Sequence, residues 1–351
     1  MTNRPDHPLP SARRRPPAVL LLLLSVTLLL IAAIAALAIG RAMLSPGDVI
    51  AVLTHALTGK GEVPLANKTI VMGVRLPRVV AAAMIGGALA VSGTAYQGLF
   101  RNPMVSPDIL GASTGASFGA ALALLLSTSR SGVQAAAFVG GVIAVLLTYT
   151  SARKIGRGTD QVLLLVLCGM IVSALFQAFV SAVKYTADPD SKLPEITYWL
   201  MGSIAKVTWP DLALYAIPFT VGLIPIIALR WRLNALAFGE EEAESLGVNV
   251  VALRATCIVC ATLLTASSVA ISGVISWIGL IMPHLVRFIA GPDNRIVVPL
   301  SIILGGAFLV LVDTACHTII ASEIPLGILT SVIGAPLFFV ILVNGRRAGR
   351  S

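Results

Sequence analysis

A catalytic pattern occurs at residues 111–115, where the sequence GASTG reproduces the G-x-S-x-G arrangement of a nucleophilic serine. In hydrolases this arrangement requires a strand–turn–helix junction that exposes the serine. An intramembrane serine protease would pair Ser113 with His284 or His317 as the base. The glycines, however, recur every fourth residue as far as Gly119 within an apolar segment, which is the spacing of closely packed membrane helices. Helix packing therefore explains the pattern better than catalysis does.

The sequence also lacks the residues that other mechanisms need. It contains no G-x-x-x-x-G-K-[ST] loop for binding ATP, and no His, Cys and carboxylate cluster with metal-ligand spacing. Cys257 and Cys260 have redox-motif spacing, but like Cys168 and Cys316 they lie in apolar runs, so we interpret them as small buried hydrophobic residues. We expect a protein that is not an enzyme and that binds no metal or cofactor itself.

An acidic segment separates two long apolar tracts and consists of Gly239, Glu240, Glu241, Glu242, Ala243, Glu244, Ser245, Leu246 and Gly247. Gly239 can act as an N-cap, the next three glutamates suit the positive end of the helix dipole, and Gly247 can end the helix in a left-handed conformation. The predicted helix has about two turns, well below the ~12–15 residues that an isolated helix needs in water. We interpret it as a docking element for a soluble partner, with a solvated loop as the alternative.

Two arginines, Arg75 and Arg78, precede the second apolar tract, and Pro77 between them fits the first turn of a helix. If both are exposed, their guanidinium groups form a basic site that can hold carboxylates of an external partner. Snorkelling of both side chains at the membrane interface is the alternative.

A third candidate site follows the fifth tract, where Tyr198 and Trp199 precede Met201, Gly202 and Ser203. Tyrosine and tryptophan favour the membrane–water interface. We predict a short helix here beside the mouth of a pathway, although an ordinary aromatic belt would have the same composition.

Membrane-spanning helices must position these residues, because the chain is 57% hydrophobic, only 12% charged and has a mean hydropathy of +0.92. A soluble chain has about 25% charged residues. The predicted fold class is therefore all-α and integral to the membrane, with ten spans and with broken or re-entrant helices beside Pro107 and Pro283. The apolar tracts cover residues 20–39, 79–99, 107–127, 133–152, 161–183, 211–229, 250–273, 275–290, 297–320 and 325–343.

The distribution of the 25 Lys and Arg residues sets the predicted orientation, since most of them lie on the side of the N-terminus. Both termini and the acidic segment are then cytoplasmic, while Arg75 and Arg78 are outside. The net charge of +9 follows from these anchors and gives no indication of nucleic acid binding. Residues 1–17 form a predicted disordered tail, residues 18–345 a single membrane domain and residues 346–351 a second tail. The first tract is too long for the apolar part of a signal peptide, so we interpret it as a retained span.

Several segments together resemble one family, the FecCD-type permeases of ABC importers. The most specific similarity lies in residues 96–116, which contain the NPMVSPDILGASTGA sequence. The resemblance extends over about residues 70–345 in the family's order. The other matching segments are residues 75–78, 199–203, 237–249, 278–287, 323–327 and 333–336.

The resemblance implies the type II ABC importer permease architecture in a bacterial or archaeal cytoplasmic membrane. The implied partners are a second permease subunit, identical or different, two cytoplasmic ABC ATPases that bind ATP and Mg, an extracytoplasmic substrate-binding protein and membrane lipid. The family assigns the acidic segment, within a coupling region at residues 231–249, to the ATPase, and Arg75 and Arg78 to docking of the binding protein. His317 lies four residues after Asp313, where many members have an arginine, so we expect it to contribute to docking.

For the cargo, the resemblance implies a bulky metal chelate moved into the cytoplasm by alternating access. An iron–siderophore complex is the leading candidate, and haem, cobalamin and molybdate remain open. A secondary carrier is the alternative class of protein. It is disfavoured because the tracts contain almost no ionisable residue at mid-depth, where ion-coupled carriers need such groups.

Overall fold

The computed structural model describes residues 16–40, 42, 44–156, 161–320 and 322–348, so most of the predicted N-terminal tail and the last three residues of the C-terminal tail lie outside the described residues. The described residues form helices and no strand, which confirms the predicted all-α fold class. The helices are α1 (Ala18–Ala38), α2 (Pro46–Thr58), α3 (Leu65–Lys68), α4 (Leu76–Leu99), α5 (Ala112–Leu125), α6 (Arg130–Ile155), α7 (Gln161–Thr186), α8 (Lys192–Leu200), α9 (Trp209–Ala235), α10 (Glu240–Ser245), α11 (Val250–Ser272), α12 (Ile278–Ala290), α13 (Asn294–Thr318) and α14 (Leu326–Ala348).

Seven helical segments of the described chain are long and apolar enough to cross a membrane. They are α1, the continuous segment Leu65–Leu99, α6, α7, the segment Trp209–Phe238, α11 and α13. Three further apolar helices, α5, α12 and residues 326–341 of α14, are shorter. Each predicted tract coincides with one of these ten helices, but the count of ten spans stays a prediction where the helix is short.

The second span begins earlier than predicted. The sequence analysis started it at residue 79, whereas α3, a π-helical turn at Thr69–Arg75 and α4 run without interruption from Leu65 to Leu99. Arg75 and Arg78 therefore lie within a helix and not ahead of one. Pro77 does not interrupt this helix, because it lies in the first turn of α4, directly after the π-turn, where its missing N–H does no harm.

Of the two helix breaks predicted beside prolines, the one at Pro107 is present. Pro107 begins a 3-10 turn at Pro107–Leu110, and Gly111, with φ of 88°, separates that turn from α5. Pro283, in contrast, lies inside the continuous helix α12. The interruption predicted there occurs upstream, where residues 273–277 are not helical and Trp277 has φ of 75°.

A short amphipathic helix, α2, follows α1 and was not predicted, because it is too short for a span. Its start follows from local chemistry: Ser45 and Asp48 form a reciprocal capping box, and Pro46 occupies the first turn. Its inner face buries Val49 and Val52 in the same hydrophobic cluster as the end of α1.

The helix α4 lies at the centre of the molecule and packs against α9, α11, α12 and α13. In the Leu65–Leu99 segment, 83% of the most apolar window is buried, compared with 11% in α1. Glycines allow the neighbouring helices to pack this closely against α4, since a Cβ atom at Gly93 would overlap the carbonyl oxygen of Gly279 in α12. The predicted close approach of the glycines after residue 111 is confirmed, since a Cβ atom at Gly115 would overlap the carbonyl oxygen of Gly140 in α6.

We expect Gly93→Ala to lower the free energy of unfolding by at least the ~1–3 kcal/mol of an overpacked core, because the rigid backbone of α12 cannot move away from the new methyl group. Thermal unfolding of the detergent-solubilised protein measures this effect. Gly98→Ala, on the same helix, is the matched control, since its Cβ atom would lie 3.6 Å from the side chain of Leu233. Equal unfolding temperatures for the two variants would contradict this account of the α4–α12 contact.

Candidate functional site

The acidic segment folds as the sequence predicts. Gly239 is the N-cap of α10, with φ of 128° and ψ of 164°, and Gly247 has φ of 80°. The helix ends in a Schellman motif, in which Val248 N donates to Ala243 O (3.0 Å) and Gly247 N donates to Glu244 O (2.9 Å). The positive φ angles at both ends favour glycine, so the two glycines fix where the helix starts and stops.

Two contacts hold this short helix against the rest of the chain. Ala243 is fully buried and belongs to a hydrophobic cluster that contains Leu236 and Leu253. Glu240 accepts a hydrogen bond from Arg254 of α11, whose side chain is 7% exposed. These contacts explain how a helix too short to be stable alone keeps its shape.

The outward face of the acidic segment carries charge and two exposed apolar side chains. Glu241, Glu242 and Glu244 are exposed, and Leu246 is 58% exposed. Phe238, directly before the segment, is 76% exposed. The sequence analysis did not single out Phe238; a large apolar residue bordering an acidic segment was the available signal. Large exposed apolar residues within a charged surface are typical of protein–protein contacts.

Arg75 does not form an exposed basic site, so the predicted exposure of this residue is wrong. It is 9% exposed, and its Nη1 atom donates to the carbonyl oxygens of Leu37 (2.6 Å) and Ala38 (2.9 Å), while Nη2 donates to Ala42. The carbonyls of Leu37 and Ala38 lie at the end of α1, where a helix has unsatisfied acceptors and a partial negative charge. Arg75 therefore caps α1, and Gly40 leaves the space that its guanidinium group occupies.

Arg78 is also largely enclosed, with a side chain that is 12% exposed. It contacts Asp313 of α13 through two parallel bonds, Nε to Oδ2 (2.7 Å) and Nη2 to Oδ1 (2.8 Å), and Glu323 through Nη2 (2.6 Å). His317, whose side chain is 16% exposed, lies one turn after Asp313 and contacts its backbone oxygen through Nδ1 (2.7 Å). The fold thus brings Arg78 and His317 together around Asp313, but Arg78 already has two carboxylate partners. The predicted exposure of the Arg78 side chain is therefore also wrong.

The predicted outer helix is present as α8, and the residues after it join three elements. Ser203 N donates to Ser272 O (2.7 Å) at the end of α11, while Leu326 N donates to Gly202 O (2.9 Å) and Gly327 N to Met201 O (2.9 Å) at the start of α14. Gly202 has φ of 77°, which favours glycine. The backbone of residues 201–203 therefore fixes where α14 begins.

The loop before α8 is ordered by Asp188. The hydroxyl and backbone N–H of Ser191 and the backbone N–H of Asp190 donate to its carboxylate, and these bonds hold the pKa of Asp188 below its usual value. Three donors therefore converge on one carboxylate oxygen and hold the backbone of residues 188–191 in place.

Two adjoining cavities, of about 470 and 640 Å³, share Gln134, Ala270 and Ile271, and the larger one lies against α8. We call this larger one the outer cavity, after the side of the membrane on which the sequence predicts α8. Tyr198, Trp199, Gly202 and Ser203 line this larger cavity, whereas Met201 does not contribute to its lining. Charged side chains also border it, namely Arg130, Lys206, Glu195 and Glu323. A cavity of this size is comparable with sites that hold drug-sized ligands.

The features that resembled catalytic chemistry have structural explanations. Ser113 donates a hydrogen bond to Asp108, and the ring of His284 packs edge-on against Phe338 of α14. The four cysteines are unpaired and buried, which confirms their interpretation as small hydrophobic residues. Within the described part of the chain, no group of three or more His, Cys, Asp and Glu residues could hold a metal ion.

Comparisons with known proteins agree with this arrangement. Residues 28–344 match the model of the FecCD transport family. The chain is 38% identical over 317 residues to the molybdate import system permease protein of Haemophilus influenzae, covering 90% of this chain and 93% of that protein. It is 38% identical over 277 residues to a permease named for iron chelatin transport in Helicobacter pylori, covering 79% and 83%. Other relatives are named for haemin and cobalamin import.

Among solved structures, a metal-chelate-type ABC transporter in an inward-facing conformation superimposes with a TM-score of 0.83 at 36% identity, covering 93% of this chain and 99% of that one. The chain therefore belongs to the FecCD transport family, and it is a multi-pass permease subunit of an ABC importer from a bacterial or archaeal membrane.

We expect Arg75→Gln to destabilise the fold by about 1.5–3 kcal/mol, because the carbonyls at the end of α1 lose a charged donor. The measurement is thermal unfolding in detergent. Lys68→Gln serves as the control, since Lys68 is an exposed cation of the same outer segment. An unfolding temperature of Arg75→Gln as high as that of the control would refute the capping role.

Proposed function

We propose that this permease subunit imports a ferric chelate, with an iron–siderophore complex as the leading cargo, by alternating access driven by two cytoplasmic ATPases. The observation that carries the coupling part of the proposal is the acidic segment, which projects a rigid, charged surface with two apolar residues from one end of the helical domain. In this proposal both termini and the acidic segment are cytoplasmic, as the distribution of Lys and Arg favours.

The chemistry of the acidic segment indicates the kind of surface that it contacts. Phe238 and Leu246 would fill apolar depressions on the ATPase, and Glu241, Glu242 and Glu244 would meet a basic rim. ATP and Mg would bind to the ATPase, and closure of the two ATPases would pull the acidic segments of two permease subunits. No catalytic step is assigned to this chain.

A second permease subunit is proposed to cover the exposed apolar faces of α7 and α14. In α7 only 28% of the most apolar window is buried, and Met170 and Ile171 are more than half exposed. In α14, Val332 and Phe339 are similarly exposed. Two such subunits, identical or different, would enclose the pathway between them.

An extracytoplasmic binding protein is proposed to deliver the cargo on the opposite face. Arg78 and His317 keep small exposed areas there and are the proposed contacts, whereas Arg75 is withdrawn from the docking surface because it caps α1. Carboxylates of the binding protein would have to compete with Asp313 and Glu323 for Arg78.

The size of the outer cavity supports a bulky cargo. Its 640 Å³ suits a drug-sized chelate, while a molybdate ion would occupy only a small part of it. Molybdate is the second candidate, because the relative named for molybdate import matches over 93% of its own length. Haem and cobalamin remain within the same proposal as further large cargoes.

Import into proteoliposomes containing the complete transporter tests the cargo. We expect ATP-dependent uptake of a ⁵⁵Fe-labelled hydroxamate siderophore complex, with no competition from an excess of molybdate. Labelled molybdate, haem and cobalamin are measured in parallel. Uptake of ⁹⁹Mo-molybdate alone would establish the second candidate, and uptake under an ion gradient without any ATPase would establish a secondary carrier instead.

We expect Phe238→Ser to weaken binding of the ATPase at least tenfold, because a central apolar anchor typically contributes more than ~1–2 kcal/mol to an interface. Charge reversal in Glu241→Lys combined with Glu242→Lys should have a comparable effect that diminishes at high salt. Co-purification and affinity measurements with the ATPase provide the readout.

Ile155→Ser is the control for this experiment, since Ile155 is 62% exposed at the end of α6 and lies outside the acidic segment. ATPase binding by the Phe238 and glutamate variants that equals binding by the control would remove the acidic segment from the interface.

A further inference from the structure

Arg254 links the acidic segment to a helix that the segment does not pack against. This arginine lies in α11 and is 6% exposed. Its Nη2 atom donates to Glu240 of the acidic segment, and its Nη1 atom donates to Oε1 of Gln161 at 2.5 Å. Gln161 is the first residue of α7. One guanidinium group therefore joins α10, α11 and α7.

The acidic segment and α7 pack mainly against different helices. Among the described residues, α10 packs against α9, the 3-10 turn at Leu236–Phe238 and α11. The helix α7 packs against α5, α6 and the 3-10 turn at Pro107–Leu110. The acidic segment and α7 do not pack extensively against each other, but both contribute to one hydrophobic cluster, through Ala243 and Leu165. The two hydrogen bonds of Arg254 add a directional polar link between them.

The chemistry of arginine suits such a link. A guanidinium group is planar and rigid and presents its donors in a fixed fork, so displacement of one acceptor changes the geometry at the other. The Arg254 side chain is only 7% exposed, so water has little access to its donors, whereas the Glu240 side chain is 42% exposed. The charge of Glu240 satisfies the cation, and the neutral amide oxygen of Gln161 accepts the second bond.

We propose that Arg254 is a positioning residue that transmits displacement of the acidic segment to the cytoplasmic end of α7. This inference rests on the proposed function, in which the ATPase moves the acidic segment. The helix α7 has the exposed apolar face that the second permease subunit is proposed to cover, so its displacement changes the separation of the two subunits. The bond between Arg254 and Gln161 is the step that this inference adds.

The test removes that bond and leaves the acidic segment unchanged. Gln161→Leu keeps the shape of the side chain without an acceptor, and Gln161→Glu keeps an acceptor for Arg254. Both variants are reconstituted as complete transporters with ATPase subunits and binding protein. ATP hydrolysis is measured together with import of whichever of the four labelled probes named above the wild type imports.

We expect Gln161→Leu to assemble with the ATPase and hydrolyse ATP within about twofold of the wild type, while cargo imported per ATP falls about tenfold. One lost hydrogen bond to a charged group corresponds to a factor of this order. Gln161→Glu should retain the wild-type ratio. Arg153→Gln, which lines the same cytoplasmic pocket as Arg254 and Gln161, is the control and should also retain it.

The outcomes separate this inference from the proposed function. A wild-type ratio of cargo to ATP in Gln161→Leu overturns the role of Arg254, and so does an equal fall in Gln161→Glu. A lower unfolding temperature and poor assembly of Gln161→Leu, with an unchanged ratio in the assembled fraction, would assign the bond to stability alone and also overturn it. Failure of the wild type to bind any ATPase or to import any of the four probes would overturn both proposals.

Discussion

Direct contact between helix backbones is the constraint on which the remainder of this structure depends. In lipid, helices gain little from hydrophobic exclusion, so close van der Waals contact must hold them together. The glycines at 86 and 93 of α4 meet the glycines at 305 and 279 of α13 and α12 without any intervening side chain. This contact holds α4 at the centre, and the elements that carry the outer and cytoplasmic sites are arranged around it.

The two faces of the molecule use charge in opposite ways. On the face predicted to be outside, Arg75 and Arg78 donate to internal acceptors, at the end of α1 and on Asp313, and keep little exposed surface. On the face that carries the acidic segment, the buried Ala243 and a bond from Arg254 to Glu240 anchor the helix, and the remaining glutamates stay in solvent. The face with the acidic segment therefore offers a preformed charged surface, while a partner on the face with Arg78 must compete with existing ion pairs.

The charged side chains around the outer cavity are of both signs, and some of them already have ion-pair partners. The outer cavity is bordered by aromatic, small and mixed-charge residues, and Arg130 is already paired with Asp211 (2.9 Å). Such a lining provides space but little tight recognition, because strong binding needs buried, complementary polar groups. Relatives of this chain are named for different cargoes.

The sequence by itself determined the features that depend on local chemistry. Apolar tracts identified the helices because lipid forces backbone groups to bond within a segment, and Gly239 and Gly247 bounded α10 because its ends require positive φ angles. Only the tertiary structure decided what each long side chain contacts. Arg75 resembled an exposed docking residue until the end of α1, 38 residues earlier in the chain, supplied its acceptors. Partners distant in sequence, such as Arg78 with Asp313 or Arg254 with Gln161, depend on helix packing, which one sequence does not encode in its local pattern.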